Sequence, residues 1–172
     1  MVIIYLARHG QTEENVNRIF QGHLPGRLTE EGKRQAQELG EKLKGIDLDA
    51  VLSSDLRRVT DTVNLALGEC NLPWQTTPLL REIDWGSWTG LPLDSVDRTQ
   101  LPSDAETREM LYDRARRCLD YIREHYEGKT ILVVAHGLIN RSLRANVEGI
   151  PADGLTSVPH MDNCELICLK IE

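Results

Sequence analysis

The chain has 172 residues, a formal net charge of −7 and 40% hydrophobic residues. That length suits one domain, spanning 1–172, that buries roughly 70% of its unfolded surface. Basic residues never run beyond an adjacent pair, which excludes a general nucleic-acid binder, and no stretch reaches the roughly eighteen apolar residues that a membrane span needs.

The first element in the chain is a buried strand, the apolar run Val2 to Leu6, which leads into Ala7-Arg8-His9-Gly10. The opening Met1-Val2-Ile3-Ile4-Tyr5 has no basic segment and too short an apolar run for a secretory signal, so a cytoplasmic location is expected. An irregular stretch, Asn15 to Leu28, carries Gly22, Pro25 and Gly26. Thr29 then reads as a helix N-cap, with Glu30 and Glu31 at the positive end of the helix dipole, Ala36, Leu39 and Leu43 on one face, and Gly45 as the stop.

Ala50-Val51-Leu52 is a short strand ending at Ser53-Ser54. Ser54 or Asp55 is expected to cap a helix with the stripe Leu56, Val59, Val63 and Leu67. Leu79 to Gly90 is turn-rich, and Leu91 to Ser103 is a loop excursion, the only obvious material for a short lid near residues 84–108. A helix from about Asp104 to Tyr126 buries Leu111, Ala115, Cys118, Leu119 and Ile122. Thr130 to Val134 is the clearest buried strand; it runs into Ala135-His136-Gly137 and a helix ending near Val147. Cys164 to Ile171 is the last strand. Strands separated by helices predict a three-layer α/β/α sandwich with a mostly parallel central sheet. Cys70, Cys118, Cys164 and Cys168 lack CxxC spacing and are expected to be reduced, mostly buried thiols with no metal or disulfide role.

His9 and His136 share a context: each follows a buried strand within two residues and precedes a glycine. Ligands bind past the carboxyl ends of strands in open α/β sheets, so two such histidines on neighbouring parallel strands would face each other. Gly10 is read as letting the backbone approach a ligand closely. Arg57 opens the helix after Ala50–Leu52 on the same sheet edge, whereas Arg58 is expected to point elsewhere, as a solvated arginine. Glu82 sits among the apolar neighbours of a turn-rich segment, next to Trp85. Such a set suits phosphoryl transfer. Arg8, Arg57 and a protonated His136 would supply positive charge without a metal, His9 a nucleophile, and Glu82 a proton for the leaving oxygen.

Arg8-His9-Gly10-Gln11-Thr12-x-x-Asn15 resembles the signature of the histidine phosphatase superfamily, the phosphoglycerate-mutase-like fold. The similarity continues, in order, through Gln21-Gly22, Leu28-Thr29-x-x-Gly32, Ser53-Ser54-Asp55-Leu56-Arg57-Arg58, Leu80-Arg81-Glu82-Ile83-x-Trp85-Gly86-x-Trp88-x-Gly90 and Val133-Val134-Ala135-His136-Gly137. The resemblance implies that His9 is phosphorylated, Glu82 donates the proton, and Arg8, Arg57, His136 and Asn15 hold the phosphate; the backbone N–H groups that follow His136, from Gly137 on, open a helix, which favours anion binding in any case. Gln21, Gly22 and His23 are candidate substrate contacts; for His23 and Arg27 a solvated loop position is the competing reading. The segment His23-Leu24-Pro25-Gly26-Arg27 departs from the family's usual acidic residue and proline.

These features predict a metal-independent, cofactor-free phosphomonoesterase acting on a small phosphorylated metabolite; they do not fix the substrate or the oligomeric state. A cofactor-dependent phosphoglycerate mutase and a non-catalytic phospho-ligand binder are the alternatives. The chain is compact, and Arg98 and Arg108 stand nearly alone as cations that could hold a phosphoglycerate carboxylate, which favours the phosphatase.

Overall fold

A computed structural model describes residues 1–172. Its five strands are β1 (Val2–Arg8), β2 (Ala50–Ser54), β3 (Trp74–Thr77), β4 (Thr130–Ala135) and β5 (Leu166–Ile171), in the sheet order β3-β2-β4-β1-β5. β3, β2, β4 and β1 are parallel and β5 is antiparallel to β1. The helices are α1 (Glu13–Val16), α2 (Glu30–Leu43), α3 (Arg57–Leu67), α4 (Arg108–Tyr126) and α5 (Gly137–Glu148).

Alternation along the strands divides the core between the two faces. Ile4, Leu6, Leu52, Ile131 and Val133 pack with α4 and α5, while Ala7, Val51, Leu132 and Val134 pack with α2 and α3. The sheet is therefore covered on both sides, as strands apolar on both faces require. No helix is long and apolar enough to cross a membrane.

Several expected boundaries move for local reasons. α4 starts at Arg108 because Thr107, not Asp104, accepts the Met110 N–H; a cap of this kind is worth roughly 1 kcal/mol. The last strand begins at Leu166, two residues late, because Cys164 adopts a left-handed φ of 58°. β3 escapes the apolar-run criterion because it is an exposed edge strand, Trp-Gln-Thr-Thr. α1 is a single turn closed by a reciprocal Thr12/Asn15 capping box. Cys118 and Cys164 are buried, but Cys70 and Cys168 are exposed, against the expectation of mostly buried thiols.

Candidate active site

β1 and β4 are adjacent and in register, Arg8 opposite Ala135, so the residues that follow them emerge side by side. The rings of His9 and His136 meet edge to face with centroids 5.2 Å apart. Both are buried, 2% and 0% exposed. Nδ1 of His9 lies 2.7 Å from the Gly10 carbonyl. A carbonyl only accepts, so Nδ1 carries the proton and Nε2 keeps its lone pair. Nε2 of His136 pairs with the Ser54 hydroxyl at 2.8 Å, and its Nδ1 has no partner in the protein. Burial, then the Arg58 and Arg8 guanidiniums, hold both imidazoles well below the ordinary histidine range. His136 is thus neutral in the chain by itself, where the sequence suggested a protonated ring; an anion beside it would favour its charged form.

The second arginine of the Arg57-Arg58 pair, not the first, belongs to this group. Arg57 is 75% exposed and pairs with Asp61. Arg58 is 1% exposed, donates to the carbonyls of Leu24 and Gly22 (Gly22 at 2.9 Å), and its charge acts on His9 and His136. The reason is the buried arc of α3, which runs through Arg58, Val59, Thr62 and Val63 and so includes two polar residues that the apolar stripe leaves out. Burial pulls Arg58 down to about 10, still cationic at neutral pH. Thr62 ties the arc to the motif: it accepts the Gly10 N–H and donates to the Arg58 carbonyl. Asp55, expected as a cap, instead binds Arg81 through two 2.7 Å bonds, and Ser54 accepts the Leu56 N–H.

Arg8 donates to the Met161 carbonyl at 2.9 Å and touches His160 Nε2 at 3.2 Å. Nε of Arg8 and Nε of Arg58 are both buried without partners. Neither guanidinium forms an ion pair; the main acidic charge acting on both is that of Glu82, so two cations beside two neutral imidazoles leave the site with an excess of positive charge.

Glu82 joins this group through α5. Its Oε2 accepts the Leu138 N–H at 3.0 Å, and Oε1 accepts the N–H groups of Ile139 and Ile83 at 3.1 and 3.0 Å. The carboxylate is therefore surrounded by peptide donors rather than by an indole; Trp85 packs on Phe20, with centroids 4.9 Å apart. The Glu82 carbonyl accepts from His23 Nε2 at 2.9 Å and from Arg114 at 3.2 Å. Arg114 is itself held by Glu106 in a nearly buried ion pair. His23 and Arg114 thus position the turn that carries Glu82. The sequence signal for Arg114 was a charge inside the α4 stripe, three residues after Leu111 and four before Cys118. His160 gave no comparable signal.

The other candidates are more peripheral. The Asn15 carboxamide oxygen accepts the Thr12 N–H at 3.0 Å. Gln21 accepts from the Thr12 hydroxyl at 2.9 Å. Arg27 is exposed and faces Glu13. Gly10 has a packing reason as well: a Cβ there would lie 2.5 Å from the Gly32 carbonyl oxygen, so the glycine allows the motif to pack on the first turn of α2. Gly137 starts α5 under Arg8 and His160.

Past Glu82 lies a cavity of about 480 Å³. Ile83 and Leu138, whose N–H groups hold the Glu82 carboxylate, are on its wall, with Trp85, Trp88, Leu101 and Arg141 among the others. The 84–108 segment forms much of that wall and is anchored to the 18–20 turn by backbone bonds such as Phe20 N–H to Leu91 and Leu93 N–H to Arg18. Arg98 and Arg108 do not stand alone as expected, because Arg141 of α5 lines the same cavity.

The model of the histidine phosphatase superfamily (branch 1) matches residues 4–172. The chain belongs to this superfamily. It is a phosphatase of the histidine phosphatase type. It is 31% identical to an adenosylcobalamin/alpha-ribazole phosphatase of Escherichia coli K12 over 166 residues, covering 88% of this chain and 82% of that one. It is also 28% identical to the probable phosphoglycerate mutase GpmB of Erwinia tasmaniensis, covering 96% and 83%. Among solved structures it superposes on Bacillus stearothermophilus YhfR with a TM-score of 0.94 at 29% identity, over 100% of this chain and 92% of the other.

Proposed function

We propose that this histidine phosphatase is a phosphomonoesterase that hydrolyses a small phosphorylated metabolite through a phosphohistidine, without a metal ion or cofactor. The observation that carries the reading is the His9 ring, neutral, buried and locked by Gly10 so that Nε2 keeps its lone pair, between two guanidiniums that have no carboxylate partner.

In this reading Arg8, Arg58 and Nδ1 of His136 hold the phosphate oxygens, with the first N–H of α5 at Gly137 and the Asn15 carboxamide nitrogen alongside. Nε2 of His9 attacks phosphorus, and the bond from phosphorus to the alcohol oxygen breaks. Glu82 protonates that oxygen. A carboxylate has about four lone-pair sites. Three are taken by N–H groups, two on Oε1 and one on Oε2, which leaves a position on Oε2 for the proton. Water then attacks the phosphohistidine, Glu82 accepts its proton, and inorganic phosphate and neutral His9 are regenerated. Charge stabilisation by Arg8 and Arg58 replaces the role of a metal ion.

A second reading, a phosphoglycerate mutase, is favoured by one observation: Arg98, Arg108 and Arg141 line the same cavity and could hold a carboxylate. Steady release of inorganic phosphate from p-nitrophenyl phosphate, with no interconversion of phosphoglycerates in the presence of 2,3-bisphosphoglycerate, is expected for the phosphatase. Mutase turnover exceeding hydrolysis would overturn it, and tight phosphate binding without turnover would identify a binder instead.

A further inference from the structure

The arginines of this chain divide into two groups. Most face a carboxylate, from Arg18 with Asp94 to Arg144 with Glu148. Those that form no ion pair are Arg8, Arg58, Arg98, Arg108 and Arg141. Arg8 and Arg58 flank the histidines. Arg98, Arg108 and Arg141 all line the cavity beyond Glu82. In a chain of net charge −7 whose surface arginines are otherwise matched with acids, three unmatched cations around one cavity form a local positive field.

The acids on the same wall offset it only in part, since one unpaired carboxylate, Glu109, faces three cations. Glu106 is committed to Arg114, and Glu109 is exposed on the first turn of α4. Arg141 is the deepest of the three cations, and its Nε is buried with no partner in the protein. Burial and the neighbouring Arg108 charge both weigh on Arg141, so the two cations repel each other unless an anion lies between them. The rest of the wall is apolar and partly flat: Ile83, Trp85, Trp88, Leu101 and Leu138. The indoles of Trp85 and Trp88 lie 25° from parallel, with centroids 6.1 Å apart.

The cavity also borders the turn that carries Glu82. Two residues on its wall, Ile83 and Leu138, hold the Glu82 carboxylate through their N–H groups. Arg141 acts electrostatically on His160, which touches Arg8.

We infer that this cavity receives the alcohol portion of the phosphomonoester, and that this portion carries a second anionic group, a carboxylate or a further phosphate, on an apolar or planar frame. The inference rests on the phosphatase reading, since it takes the Arg8/Arg58 pocket as the seat of the scissile phosphate. A cavity of about 480 Å³ lies within the size range of small-molecule sites and exceeds what a three-carbon acid fills. The apolar wall selects the frame, and the arginines select its charge.

The test compares three non-hydrolysable probes by calorimetric titration: benzylphosphonate, 4-carboxybenzylphosphonate and p-xylylenediphosphonate. At least one doubly anionic probe is expected to bind about tenfold or more tighter than benzylphosphonate, and whichever does identifies the second anion. That advantage is expected to shrink to within about twofold in Arg141→Gln and to fall severalfold in Arg108→Gln. Arg108 is exposed, so its variant serves if Arg141→Gln fails to fold. Lys42→Gln, an exposed cation on α2 in the opposite layer, is expected to keep the full advantage. Equal affinity for all three probes, or an advantage that survives both arginine variants, would overturn the inference. Hydrolysis of phenyl and 4-carboxyphenyl phosphate separates the two claims. Arginine-dependent binding without any hydrolysis sinks the phosphatase reading alone, whereas hydrolysis with no arginine-dependent preference sinks this one alone.

Discussion

The anion pocket and the cavity next to it are built in opposite ways. The pocket takes its groups from the ends of β1 and β4 and the first turns of α3 and α5, all packed on the sheet, and His9, Arg58 and His136 are almost wholly buried. The cavity takes half of its wall from the 84–108 segment, and two of its three cations, Arg98 and Arg108, are exposed. In the pocket, a shift of one residue would break backbone hydrogen bonds and strand register. In the cavity, a side chain can change without disturbing the sheet. On the proposed reading, reaction chemistry is fixed by the framework, while choice of substrate depends in part on loop side chains that the framework constrains less.

Breaking the pocket is expected to have the largest effects. His9→Ala removes the attacking atom and should cost roughly 10³-fold or more in kcat for p-nitrophenyl phosphate, measured by steady-state kinetics. Next come the paired arginines. Arg58→Gln should lower kcat/KM by about 10²-fold or more, and Arg57→Gln should stay within about twofold. A large loss in Arg57→Gln with little change in Arg58→Gln would reverse the assignment made from their burial.

Glu82→Gln sharpens the distinction between proton transfer and binding. Alkyl phosphates, whose leaving oxygen needs the proton, should lose about 10²-fold, and p-nitrophenyl phosphate much less. An equal loss on both would assign Glu82 a structural role at the start of α5.

The pH response is smaller and has a definite sign. His9 and His136 are held neutral in the folded chain below the ordinary value of 6.5 and take up protons near that value once unfolded. The unfolded state therefore binds more protons below about pH 6.5, and stability falls as the solution is acidified, by up to about 1.4 kcal/mol per pH unit for each ring. Urea melts between pH 7.5 and 5 should show this decline, and inorganic phosphate should reduce it. The acid limb of kcat/KM should likewise lie below the range of an ordinary histidine. The smallest effect expected is that of a chelator: EDTA should leave the rate unchanged, and inhibition reversed by added metal would contradict a pocket charged by arginines alone.

The pocket was far more legible in the sequence than the cavity. Val2 to Leu6 and Thr130 to Val134 are apolar runs that read as buried strands, and the histidines directly follow them. Their proximity then follows from two strands being neighbours. Arg58 was misread because α3 turns a polar arc inward, which an apolar stripe cannot reveal. Arg141 was passed over altogether. It lies on α5, 33 residues after Arg108 opens α4, and only the packing of α4 on α5 brings the two to one cavity. Periodicity reports burial along one element; it carries no information about cations gathered from three separate segments.

The covalent state of His9 during turnover tests the mechanism most directly. The chain is mixed with ³²P-labelled phenyl phosphate, quenched in alkali within milliseconds, digested and mapped. The expected result is a base-stable, acid-labile label on the peptide carrying His9, at no more than one equivalent per chain and absent from His9→Ala. Undiminished turnover with no labelled intermediate, or a label on any other residue, would contradict it.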